Sequence, residues 1–155
     1  MSDEIKTIKT TSVNPDFINL VAALDKSLWE RYPEENREYW QNNILEINPN
    51  VIIIYLDNIA VACGCFKKYD KNTIEIKRMF VSPEARGMGL AKKMLQQLEL
   101  WASELGYSFS VLETLHKQKE AIGLYQKVGY SIIENYEPYV GLKDSICMRK
   151  QILQE

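Results

Sequence analysis

Residues 81 to 95 read VSPEARGMGLAKKML: the end of an apolar extended run, a proline, an arginine, two closely spaced glycines, and then a run of helix formers. A strand that passes through a glycine turn directly into a helix commits the chain to a mixed α/β architecture, because the hydrophobic period changes from strand to helix within a few residues. The same junction gathers unpaired backbone N–H groups and the positive end of a helix dipole at one spot, and such a spot holds phosphate. Gly87 and Gly89 let the backbone approach a ligand with no Cβ in the way. Arg86, Lys92 and Lys93 add charge at its rim.

The flanking sequence builds the rest of the fold. Downstream, Ala91, Met94, Leu95, Leu98, Trp101, Ala102 and Leu105 fall on one helical face, and Gly106 closes that helix. Upstream, TIEIKRMFV reads as a strand whose apolar residues begin on even positions, Ile74 and Ile76, and continue on odd ones, Met79 and Val81. That change of parity is what an inserted residue, a β-bulge, would produce; a strand buried on both faces explains Phe80 equally well. VIIIYL and IAVACGCFKKY, joined by Asp57 and Asn58, read as a hairpin. NPDFINLVAALDKSLWE is an amphipathic helix with Asn14 as cap and Pro15 in its first turn. EENREYWQNNILEI reads as a second, shorter helix stopped at NPN. After residue 106, YSFSVLET, YSIIENY and SICMRKQI read as strands, with KEAIGLYQKV as a helix between the first two. The expected order is helix, helix, two or three strands, helix, strand, helix and two strands. Residues 1–155 then form a single domain of α/β class, a mixed sheet flanked by helices.

The phosphate site must be local. Lys+Arg number 19 against Asp+Glu 21, a formal net charge of -2, so no overall basic field exists to hold nucleic acid or an anionic membrane. The three cysteines, Cys63, Cys65 and Cys147, lack CxxC spacing, and His116 is the only histidine. No metal is expected, and the thiols read as reduced and structural. The longest apolar run, VIIIYL, is too short to span a bilayer, and the expected location is cytoplasmic.

Three phosphate motifs compete for the glycine turn. A P-loop needs Ser or Thr after its lysine, but Lys92 is followed by Lys93 and Met94. A dinucleotide fingerprint needs Gly or Ala where Lys92 stands. The pattern R-x-x-G-x-A, carried by Arg86, Gly89 and Ala91, fits. With IEIKRMFV before it, VLET after the helix, and AIGLYQKVGY ahead of a last pair of strands, the chain resembles the GCN5-related N-acetyltransferase (GNAT) family over residues 50 to 150.

The resemblance implies acetyl-CoA as co-substrate. The backbone of Met79, Phe80 and Val81 would meet the pantetheine arm and thioester, with the arm lying between that strand and VLET. Arg86, Gly87, Met88, Gly89, Leu90, Ala91 and Lys92 would meet the phosphates. Many relatives place Asn where this chain has Gln118, a further cofactor contact. Tyr125 stands at the tyrosine whose hydroxyl approaches the sulfur, making it the acid for the departing thiolate; otherwise it is a core tyrosine on a helix face. Glu75 stands where the resemblance implies a general base, acting directly or through water and facing the acceptor; otherwise it is a solvated carboxylate beside Lys77.

His116 reads as a surface residue. Trp29, Tyr32, Tyr39 and Trp40 are candidate walls of an acceptor pocket rimmed by Glu30, Glu34, Glu35 and Glu38, as are Tyr136 and Tyr139, although aromatic residues at helical spacing also build plain core. The expected activity is direct acetyl transfer, in a ternary complex, to a primary amine of a small or amino-acid-like acceptor. The alternatives are a protein lysine or N-terminus as acceptor, and an acyl-CoA-binding module without catalysis. No nucleic acid or membrane partner is expected, and a homodimer is an allowed assembly.

Overall fold

The computed structural model describes residues 4–33 and 47–152. Among these, seven strands and three helices follow in the order β1 (Ile5–Thr10), α1 (Pro15–Arg31), β2 (Asn50–Leu56), β3 (Ile59–Asp70), β4 (Thr73–Val81), α2 (Leu90–Glu104), β5 (Phe109–Leu115), α3 (Lys119–Lys127), β6 (Ser131–Ile133) and β7 (Ser145–Gln151). The strands form one mixed sheet with hydrogen-bonded order β1-β2-β3-β4-β5-β7-β6. No helix among the described residues is long and apolar enough to cross a membrane. The chain divides into two compact units, Met1–Lys67 with Ile76–Leu98 and Lys68–Glu75 with Glu99–Glu155.

In the first unit β1 pairs antiparallel with β2, and β2 with β3. The β2–β3 turn is made by Asp57 (φ 50) and Asn58 (φ 69), two successive left-handed residues of the types that tolerate this backbone best after glycine. Val51, Ile52, Ile53 and Ile54 are all fully buried, so β2 is covered on both faces and its sequence is an unbroken apolar run. Helix α1 begins as expected: Asn14 accepts hydrogen bonds from the backbone N–H of Asp16 (2.8 Å) and Phe17 (3.4 Å), with Pro15 in the first turn. Its Phe17, Leu20 and Val21 pack into one cluster with Val51, Ile53, Cys63, Cys65 and Phe80.

Strand β1 was not expected from sequence. IKTIKT has two isoleucines among lysines and threonines, and it lies at the sheet edge, paired on one side only, where a strand needs little apolar surface. The second helix expected in EENREYWQNNILEI falls outside the described residues. A Cβ on Gly64 would stand 3.0 Å from Leu98 Cδ1 and Met94 Cγ and 3.1 Å from Met79 Sδ. We expect Gly64→Ala to lower stability by about 1–3 kcal/mol, an overpacking effect measurable by urea unfolding.

The second unit is built on β5-β7-β6, antiparallel throughout. Within it Tyr130 Oη lies 2.8 Å from Ser110 Oγ and donates to Glu99 Oε2 (3.0 Å), and Lys150 Nζ donates to Glu99 Oε1 (2.7 Å), so a buried polar group is fully partnered. Helix α2 ends as a Schellman motif: Gly106 has φ 96, its N–H reaches Ser103 O, and Tyr107 N–H reaches Ala102 O. Leu105 therefore sits past the last helical turn and is exposed, not on the apolar face where its spacing had put it.

Candidate active site

The first unit holds the strand and turn read as the cofactor grip. Ser82 N–H bonds Val61 O, Pro83–Ala85 make one tight turn, and Leu90, buried, opens α2, whose first bond runs from Lys93 N–H to Gly89 O (3.1 Å). Gly87 has φ 83 and Gly89 φ 75. A Cβ on either would meet nothing within 4 Å, so glycine is required by the left-handed backbone, and the space beyond stays open to a ligand. Met88 and Lys92 are exposed and Ala91 is half-buried. Arg86 is exposed; its Nε donates to Val81 O (3.0 Å) and its guanidinium carbon lies 5.9 Å from the Phe80 ring centre.

On β4, Phe80 is buried in the core cluster, while Met79 and Val81 are half-buried. Two residues before Phe80, Arg78 has φ 58, a left-handed residue inside a strand, at the place where the apolar parity changes. Cys63 Sγ donates to Arg78 O and Cys65 Sγ to Lys77 O, each at 3.3 Å. Burial pushes the Cys63 thiol well up, so it stays S–H and keeps donating. Arg78 Nη1 donates to Asp25 Oδ1 on α1 at 2.8 Å, and both side chains are mostly buried. Burial raises the Asp25 carboxyl, and the Arg78 guanidinium opposes that shift.

The second unit holds the groups read as chemical. Glu75 is 2% exposed, not a solvated carboxylate, and its Oε2 accepts from Tyr136 Oη at 2.8 Å. Tyr136 is packed edge-on by Tyr69 (ring centres 5.0 Å apart) and Tyr139 (5.5 Å). Burial first, and then the Glu75 charge, hold the Tyr136 phenol far above its usual range, so it remains a donor to that carboxylate. On β5, Glu113 accepts from Ser145 Oγ at 2.7 Å.

Tyr125, on α3, is half-buried and edge-on to Tyr130 (6.0 Å). Burial, with the Glu113 charge second, pushes its phenol up to about 12. Gln118 turns its amide oxygen back onto the chain, accepting from Thr114 Oγ1 (2.8 Å) and Leu115 N–H (3.2 Å). Only its NH2 group is left to meet a ligand.

Other candidates are placed elsewhere. Tyr32 is buried at the end of α1, accepting from Arg31 Nη2 at 3.0 Å, whereas Trp29 is 53% exposed. Tyr39 and Trp40, with Glu34, Glu35 and Glu38, lie outside the described residues. His116 Nδ1 stands 3.7 Å from Asp144 Oδ1, too far for a hydrogen bond. Among the described residues no group of three or more His, Cys, Asp or Glu is placed to hold a metal ion. Sequence reasoning missed Tyr69 and the Asp25–Arg78 pair.

Known proteins resemble this chain in sequence and in fold. The sequence model of the Acetyltransferase (GNAT) family matches residues 16–130. An IAA acetyltransferase of Azospirillum brasilense is 30% identical over 142 residues, 87% of this chain and 90% of that protein. The uncharacterized N-acetyltransferase YjgM of Escherichia coli is 31% identical over 107 residues, covering 69% of this chain and 59% of its own. Among solved structures, a Klebsiella pneumoniae protein assigned as an acyl-CoA N-acyltransferase superposes with TM-score 0.80 at 27% identity, covering 96% of this chain and 98% of its own. A GNAT family acetyltransferase of Elizabethkingia anophelis, solved with acetyl-CoA bound, shares the fold with TM-score 0.69 at 20% identity, covering 97% of this chain and 99% of its own. The glycine turn at a helix start, the sheet behind it and these relatives agree: the chain belongs to the GNAT acetyltransferase family, as an N-acetyltransferase that uses acetyl-CoA.

Proposed function

We propose that the protein, a single domain over residues 1–155, transfers the acetyl group of acetyl-CoA directly to the primary amine of a small or amino-acid-like acceptor. The observation that carries this reading is Glu75, a carboxylate 2% exposed and held by a tyrosine hydroxyl at 2.8 Å. A base buried to that degree is reached by a small amine more readily than by a folded protein's lysine. The surrounding rings of Tyr69, Tyr136 and Tyr139 suit the apolar and cationic parts of such an acceptor.

In the proposed reaction the acceptor ammonium gives a proton to Glu75, directly or through a water, and the neutral amine attacks the thioester carbonyl. Backbone N–H groups of the Met79–Val81 segment stabilise the oxyanion. As the tetrahedral intermediate collapses, the attacking nitrogen releases its second proton to water, the C–S bond breaks and Tyr125 gives its proton to the leaving thiolate; Glu75 then loses its proton to solvent and Tyr125 regains one from it. The left-handed Arg78 supports the reading of a bulge that re-aims β4 toward the thioester. Gly87 through Lys92 hold the phosphates, chiefly through backbone.

A thiol-release assay with acetyl-CoA and a panel of small amines, amino acids, lysine-bearing peptides and peptide N-termini tests the acceptor class. Turnover confined to the peptides would overturn the small-acceptor reading. Tyr136→Phe keeps the ring and removes the hydrogen bond to Glu75. We expect about a tenfold loss of turnover, the weight of one hydrogen bond to a charged group, with acetyl-CoA affinity unchanged.

A further inference from the structure

Apart from the two residues of the β2–β3 turn, Arg78 is the only non-glycine residue with positive φ among the described residues. An L-residue in isolation disfavours this backbone by about five- to thirtyfold, so the surroundings must hold it there. No loop requires it, since Arg78 lies within β4. Its side chain is 9% exposed and its guanidinium donates to Asp25 Oδ1 at 2.8 Å. A charge buried to this extent keeps its place only with its counter-charge, because leaving the pair costs far more than a surface ion pair is worth. The flanking backbone is tied as well, by the Cys63 and Cys65 thiols on the carbonyls of Arg78 and Lys77.

We infer that Asp25 is a positioning residue: its ion pair with Arg78 clamps residue 78 in the left-handed conformation and thereby sets the course of Met79, Phe80 and Val81 for the pantetheine arm. The clamp rests on the reading of that segment as the arm's cradle. It gives α1 a share in cofactor binding although Asp25 need not touch the cofactor. Glycine at residue 78 adopts the left-handed backbone freely and alanine does not, so the two separate backbone from charge.

The test measures coenzyme A affinity by calorimetry in folded wild type, Asp25→Asn, Asp25→Asn with Arg78→Gly, and Asp25→Asn with Arg78→Ala. Asp25→Asn should weaken binding about tenfold, because the competent backbone is then only fractionally populated, while the KM of the acceptor stays unchanged. Adding Arg78→Gly should restore affinity to within about twofold, and adding Arg78→Ala should leave it about five- to tenfold weaker than the glycine variant. Both double variants lack the Arg78 charge altogether, so their comparison stands even where Asp25→Asn alone does not fold. Equal affinities in the glycine and alanine variants, with the wild type binding normally, would overturn the clamp. A wild type that binds no coenzyme A would instead overturn the cofactor reading beneath it.

Discussion

Gly89→Val is expected to abolish coenzyme A binding while leaving a folded protein. Gly89 has φ 75, where a β-branched side chain is strongly disfavoured, so valine would move the turn out of the conformation that aims its N–H groups at a phosphate. Any side chain that did keep the turn would project into the open space beside it, since nothing of the protein lies within 4 Å of a Cβ there. That same emptiness means the substitution makes no clash in the core, and the lost binding is separable from lost stability. Gly106→Val is the matched control: φ is 96, the surroundings are equally open, and the position lies past the other end of α2. Calorimetry should show the first variant blind to coenzyme A and the second near wild type, with both giving cooperative thermal unfolding. Unchanged affinity in folded Gly89→Val would remove the backbone phosphate grip from the site.

The glycine turn and α1 were legible in the sequence because each is specified locally, by a change of hydrophobic period, a capping Asn14, a Pro15 and glycines at left-handed positions. Strand β1 was not, because an edge strand gains its pairing from β2, some 40 residues on, and carries little apolar signal of its own. The site is divided in the same way. Glu75 and Tyr136 were each singled out, but their hydrogen bond joins positions 61 apart and has no local signature. Arg78 was the hardest to foresee, since arginine gives no hint of positive φ and its partner Asp25 is 53 positions away. Only the shift of apolar parity from Ile76 to Met79 marked the place.

Tyr125→Phe should lower turnover by about 10²-fold, the usual contribution of a positioned acid, with coenzyme A affinity within about twofold of wild type. The ring, its edge-on contact with Tyr130 and its half-buried setting all survive the change, so what is lost is the hydroxyl. A free phenol titrates near ~10, which alone would predict a loss of rate as pH rises through that value. Burial and then the Glu113 charge move Tyr125 up to about 12, and the sign is fixed: the raised group keeps its proton, the active form of an acid, to higher pH. Wild type and Tyr125→Phe should therefore run parallel up to about one unit below that value, with no alkaline loss specific to the tyrosine.

The same shift makes Tyr125 a weaker acid than the thiol it serves, whose reference pKa is ~8.5. Complete proton transfer then requires that the sulfur be desolvated too, since burial raises a thiol for the reason it raises a phenol. Glu113→Gln gives the converse check. Removing the second cause should lower the Tyr125 pKa in part, burial being the larger cause and remaining, and so move the alkaline limb down in that variant alone, while Glu113→Gln combined with Tyr125→Phe should lack it. Wild-type turnover in Tyr125→Phe, measured where chemistry limits the rate, would return the tyrosine to a packing role and leave water as the acid.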